Sequence, residues 1–148
     1  MKKLQKILSP IQFNDPNSLA ALDLASQLAS ENSAEIFLIH VIPSGMVVPD
    51  LPGYQGLFAI NEPAVQQELG KLAAAHVRGA SYQLVVKTGD PAEMIKLAAQ
   101  ELGADIIVMS THGRRGLAHF VMGSVAEKVV REAPCMVLTI RPEFVQND

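Results

Sequence analysis

The chain has 148 residues, 49% of them hydrophobic and 18% charged, which excludes a disordered chain and is long enough for one domain with a buried core. Twelve basic residues against fifteen acidic give a net charge of −3, so nothing in the balance marks a nucleic-acid binder, and the apolar runs are too short to span a membrane. A single cysteine, Cys135 in "APCMVLTI", excludes a disulfide framework or a cysteine metal cluster; it reads as a small apolar core residue in a reducing, cytoplasmic compartment.

The N-terminal "MKKLQKILSP" carries lysines like a signal peptide, but its apolar part is brief and breaks at Pro10, so residues 4–9 read as a first strand. A helix follows with Asp15 as N-cap and Pro16 at its first position, placing Leu19, Leu22 and Ala25 on one face. "AEIFLIHVI" (34–42) is continuously apolar, as expected of a strand buried on both faces, and His40 within it reads as a satisfied core or strand-end histidine. Residues 43–60 hold three prolines and three glycines among many apolar side chains, which fits either a flap or partner surface or a loop packed on its own domain.

Asn61 and Pro63 open the next helix, with Val65, Leu69, Leu72, Ala73 and His76 on one face. "SYQLVVK" (81–87) is a third strand. The helix after it has Asp90 as cap, Pro91 at its first position, Glu93 completing a capping box, and a stop near Gly103. "ADIIVMS" (104–110) and "CMVLTI" (135–140) are the fourth and fifth strands, with a helix from Ser124 to Glu132 between them; the tail past Pro142 is expected to be loose.

Strands alternating with helices predict a parallel sheet covered on both faces. In such a sheet ligands bind beyond the carboxyl ends of the strands where the strand order reverses, which directs attention to "SPIQFND" and "STHGRRG". Gly113 permits a sharp turn after the fourth strand, and Gly123 and Ser124 stand at a helix start whose first amides lack intrahelical partners and attract an anion. Arg114 and Arg115 can add positive charge. The same stretch also fits a plainer role. Ser124 and Glu127 have the spacing of a capping box, which would use the helix end for local structure alone. His112 has no carboxylate in the local sequence to orient it and, on this reading, is a loop residue.

Taken together, Ser110 to Ser124 resembles the signature of the universal stress protein family: a glycine, two residues, a second glycine, nine residues, then glycine and serine or threonine. Gly113 fits the second glycine, "RRGLAHFVM" the nine residues, and Gly123 and Ser124 the end. "GSVAEKVVREAPCMVLTIR" and "TGDPAEMI" extend the likeness, which runs from "KILSP" to "TIR". The resemblance implies a single Rossmann-like domain with an open five-stranded parallel sheet in the order 3-2-1-4-5 and helices on both faces. It implies a homodimer through the last strand, whose edge otherwise needs cover.

In the family's ATP-binding branch the resemblance implies ATP, with Mg²⁺ or Mn²⁺ held by its phosphates rather than by protein ligands. Val41 would line the adenine pocket, and Met109 and Ser110 would lie near ribose and phosphates. Gly113, Arg114, Gly123, Ser124 and Val125 would form the phosphate cradle, with Pro10, Ile11, Gln12 and His112 completing the set. Two positions depart from the family pattern: Ser110 replaces the first glycine, and Gln12 stands where a nucleoside-contacting aspartate is usual. The loss of one such contact costs about 1–3 kcal/mol, roughly ten- to a hundredfold in affinity. The alternative is a dimeric interaction protein that binds no nucleotide. A dedicated ATP-cleaving enzyme is disfavoured by the lack of a GKS/GKT loop and of any nucleophile–base set. A phosphoacceptor receiver domain is disfavoured by Lys87 where an aspartate should end the third strand.

Overall fold

Strands and helices alternate along the chain as β1 (Lys6–Pro10), α1 (Pro16–Asn32), β2 (Glu35–Ile42), α2 (Glu62–His76), β3 (Tyr82–Thr88), α3 (Pro91–Leu102), β4 (Ile106–Ser110), α4 (Ser124–Glu132) and β5 (Met136–Ile140). These come from a computed structural model, which describes residues 3–44, 62–111 and 122–141. The expected irregular segment from residue 45, Asn61, His112–Arg114 and the tail from residue 142 lie outside the described residues.

The sheet has the order β3-β2-β1-β4-β5 and every pair is parallel, as the alternation predicts. Strand starts differ from the sequence expectation by a residue or two, and one side chain gives the reason at β1. A carboxylate oxygen of Asp105 accepts from the amides of Gln5 (2.8 Å) and Lys6 (2.9 Å). Regular pairing therefore begins at Lys6 in β1 and at Ile106 in β4.

Helix ends follow local chemistry. The Asp15 carboxylate accepts from the Asn17 amide at 3.0 Å, with Pro16 in the first turn, and Asp90 does the same for the Glu93 amide at 3.0 Å. The Glu93 carboxylate, expected to complete a capping box, instead meets Lys128 at 2.7 Å and Lys96 at 3.2 Å, tying α3 to α4. α3 stops at Gly103, whose φ of 67° lies in the left-handed region that glycine adopts without a Cβ clash.

Alternation along each strand divides the core in two. Ile7, Ile36, Leu38 and Val108 face α1 and α2, where Leu22, Ala25, Val65, Leu69 and Ala73 meet them. Leu8, Ile39, Ile107 and Met109 face α3 and α4, against Ile95, Ala98, Ala126 and Val129. Full burial of a side chain such as Leu22 or Ile107 contributes about 1.5–3 kcal/mol. His76, expected on the inward face of α2, ends that helix half-buried with Nδ1 2.8 Å from a carboxylate oxygen of Asp23 on α1.

Candidate functional site

Because all strands run the same way, Pro10, Ile42, Ser110 and Ile140 end at one rim. From β1 the chain winds outward to β2 and β3; from β4 it winds the other way to β5. The crevice between the ends of β1 and β4 is therefore the point of reversal.

At the β1 side the backbone is held tightly. The Ile11 amide donates to the Ile39 carbonyl at 2.8 Å, and the Gln12 amide donates to Ser18 Oγ at 2.9 Å. The Ser18 hydroxyl donates onward to the Pro10 carbonyl at 3.4 Å. His40 meets its sequence expectation: buried on β2, it places Nδ1 2.8 Å from the Ile11 carbonyl oxygen and stacks its ring on Phe13 at 4.3 Å. Of the three site candidates here, Gln12 has its side chain exposed and Pro10 is half-buried. The Ile11 side chain, 4% exposed, belongs to the α1/α2 core.

On the other face of the sheet the candidates converge. Val41 and Met109 are buried in the α3/α4 cluster, and Val125 packs against it, as does Met122, which the sequence reading did not single out. Ser110 ends β4, half-buried and paired with Ile140. Asn14 and Ser33 are the described non-glycine residues with positive φ, so serine at the first signature position asks nothing unusual of the backbone.

The capping-box expectation for Ser124 and Glu127 is overturned. Gly123 occupies the cap position, with φ −61° and ψ 155° and no side-chain cap bond, and Ser124 is the first helical residue, exposed. Shifted by one position, Glu127 cannot reach back to the cap and instead pairs with Arg131 at 2.5 Å. The first intrahelical bond runs from the Glu127 amide to the Gly123 carbonyl at 2.9 Å, so the amides of Ser124, Val125 and Ala126 precede the ladder. These groups, at the positive end of α4, can receive an anion. Gly113, Arg114 and His112 fall outside the described residues.

Thr111 ties the end of β5 to the start of α4, and the sequence reading did not foresee it. It is buried, and both its amide (2.9 Å) and its Oγ1 hydroxyl (3.2 Å) donate to the Ile140 carbonyl. Its own carbonyl accepts from the Gly123 amide at 2.6 Å. Far from the rim, a groove of about 380 Å³ between α1 and α2 is lined by Asp23, Gln27, Glu31, His76 and Arg78. No helix among the described residues is long and apolar enough to cross a membrane.

A five-stranded parallel sheet with this strand order and helices packed on it defines a Rossmann-like α/β domain. The universal stress protein family profile matches residues 3–141. Universal stress protein MJ0531 of Methanocaldococcus jannaschii is 34% identical over 143 residues, covering 93% of this chain and 82% of its own. The putative universal stress protein SH1215 of Staphylococcus haemolyticus is 30% identical over 132 residues, 86% of this chain and 79% of its own.

Among solved structures, hypothetical protein MJ0577 superposes with a TM-score of 0.75 at 22% identity, over 99% of this chain and 100% of that one. A universal stress protein in complex with cAMP gives 0.67 at 23% identity, over 95% and 98%. The Archaeoglobus fulgidus universal stress protein in complex with dAMP gives 0.62 at 18% identity, over 95% and 99%. The chain belongs to the universal stress protein family.

Proposed function

We propose that this chain is a small cytoplasmic stress-regulatory protein that binds an adenine nucleotide, ATP in the first instance, between the ends of β1 and β4. The observation that carries the reading is the set of uncommitted amides of Ser124, Val125 and Ala126 at the sheet's point of reversal. The cAMP and dAMP complexes of fold relatives support the same ligand class.

In this reading phosphate oxygens meet the start of α4, where Gly123 adds no side chain and the exposed Ser124 hydroxyl adds a donor. The base lies toward Val41 and Met109, and Gln12 offers its amide to the nucleoside. Gly113 and Arg114 complete the cradle by the family pattern, and Ser110 and His112 border it. A bound Mg²⁺ or Mn²⁺ would neutralise phosphate charge. Nucleotide occupancy then biases affinity for a partner, and the active unit is a homodimer paired along β5.

A second reading, a nucleotide-independent dimeric interaction protein, is favoured by the two departures in the site: Gln12 lacks the usual carboxylate and Ser110 replaces the first signature glycine. The deciding experiment denatures freshly purified protein, identifies released small molecules by mass spectrometry, and titrates the refolded chain with ATP, AMP and cAMP. A released adenine nucleotide with saturable rebinding supports the first reading. No release and no binding at millimolar ligand overturns it and leaves the second.

A further inference from the structure

We propose that Thr111 is a positioning residue for the phosphate side of this site, setting the start of α4 by reference to the end of β5. The assignment rests on the nucleotide reading for its ligand but on three hydrogen bonds for its geometry.

β4 ends at Ser110, and the described chain resumes at Met122, just before α4. Thr111 and Gly123 are therefore the two residues at which the limbs of this connection meet, and the Gly123 amide donates to the Thr111 carbonyl at 2.6 Å. A residue held through only one of its two flanking peptide groups could still pivot. Thr111 is bonded on both sides: its amide and its hydroxyl converge on the Ile140 carbonyl, at 2.9 and 3.2 Å, using both lone pairs of one oxygen. Burial to 5% exposure keeps water from competing for these bonds. The orientation of the Thr111 carbonyl, and with it Gly123 and the three amides that follow, is thus referred to the last residue of an edge strand.

A residue that only seals the end of β4 would alter stability without distinguishing ligands. A residue that aims the α4 amides must alter binding of a ligand that has a phosphate and spare one that lacks it. Thr111→Val keeps the branched shape and both main-chain bonds while deleting the hydroxyl; Thr111→Ser keeps the hydroxyl.

The test measures ATP, AMP and adenosine binding by titration calorimetry on wild type, Thr111→Val and Thr111→Ser, with amide hydrogen exchange at residues 123–126 on the ligand-free proteins. Thr111→Val is expected to weaken ATP and AMP about fivefold, as loss of one neutral hydrogen bond does, to leave adenosine unchanged, and to speed exchange at Gly123. Thr111→Ser is expected to restore most of the loss. Equal weakening of adenosine and nucleotide, or unchanged nucleotide affinity, overturns the assignment. Should the wild type bind no adenine nucleotide, the ligand reading falls while the exchange data still decide: faster exchange at Gly123 in Thr111→Val alone upholds the positioning role, and unchanged exchange overturns it.

Discussion

The Nδ1 nitrogen of His40 lies 2.8 Å from the carbonyl oxygen of Ile11, so a buried ring on β2 holds the turn by which the chain leaves β1. The ring also stacks on Phe13 with an interplanar angle of 25°. His40→Ala strands a buried carbonyl and opens a cavity beside Phe13. Together these are expected to cost about 2–4 kcal/mol. A urea denaturation series checks the figure, and a loss below about 0.5 kcal/mol would show that the ring is dispensable.

Gly123→Val tests the cradle without breaking the fold. At φ −61° and ψ 155° the position accepts any residue, so the variant is expected to unfold within about 1 kcal/mol of wild type. On the proposed reading its branched side chain would stand where phosphate oxygens approach, and nucleotide affinity is expected to fall by more than about tenfold, roughly 1.4 kcal/mol. Unchanged affinity removes Gly123 from the site.

Gln12→Asp tests the departure at the end of β1. The side chain is exposed and its main chain is already fixed by Ser18, so the change adds a charged acceptor without disturbing the turn. Tightening of ATP binding by roughly tenfold is expected from a charge-assisted hydrogen bond. Calorimetric titration of the two proteins side by side gives the answer; weaker binding by the aspartate variant would show that the amide itself is the selected group.

The α3/α4 clamp predicts a pH response. Lys128, and then Lys96, holds the Glu93 carboxyl below its ordinary value of 4.5, while Glu132 and Glu93 hold Lys96 above 10.5 and Glu93 holds Lys128 above it. A lowered acid contributes stability above 4.5 that disappears as pH falls through its folded value. The raised lysines contribute below 10.5 and lose their contribution as pH rises through theirs. Glu93→Gln is therefore expected to lower Tm at neutral pH, with the gap to wild type closing on acidification below pH 4.5 and narrowing in high salt. A gap independent of pH assigns the effect to packing.

For the homodimer, the expectation is a solution mass near twice 15.9 kDa by light scattering. Met136→Glu, at the exposed start of the edge strand, brings a charge to the surface proposed to pair and is expected to weaken association at least about tenfold. A monomeric wild type refutes pairing along β5.

Much of this architecture is written locally. Continuous apolar runs marked β2 and β4, and Asp15–Pro16 and Asp90–Pro91 marked helix starts, because caps and periodicity act within one turn of chain. Parity alone could have placed Ile11: it follows Ile7 and Ser9 at steps of two, so its side chain shares the α1/α2 face. What escaped the reading was tertiary. The Asp105 carboxylate that starts β1 stands about a hundred positions from its partners, and the Ile140 carbonyl that holds Thr111 is 29 residues away. The capping box failed for a subtler reason, since the serine that matched the pattern sits one residue inside the helix and the glycine before it takes the cap.

The division of the core by the sheet has a consequence for how this chain can change. Val41, Met109, Met122 and Val125 all belong to the α3/α4 layer, while the α1/α2 layer reaches the rim through Ile11, Phe13, Ile42 and Ile140. The sheet thus works as a partition between two kinds of tolerance. Volume-conserving replacements among Leu22, Val65, Leu69 and Ala73 alter how firmly the chain folds, whereas on the nucleotide reading equally mild ones among Val41, Met109 and Val125 would also reshape what it recognises. A library that randomises one layer at a time would separate sturdiness from selectivity, two properties that most small domains keep entangled.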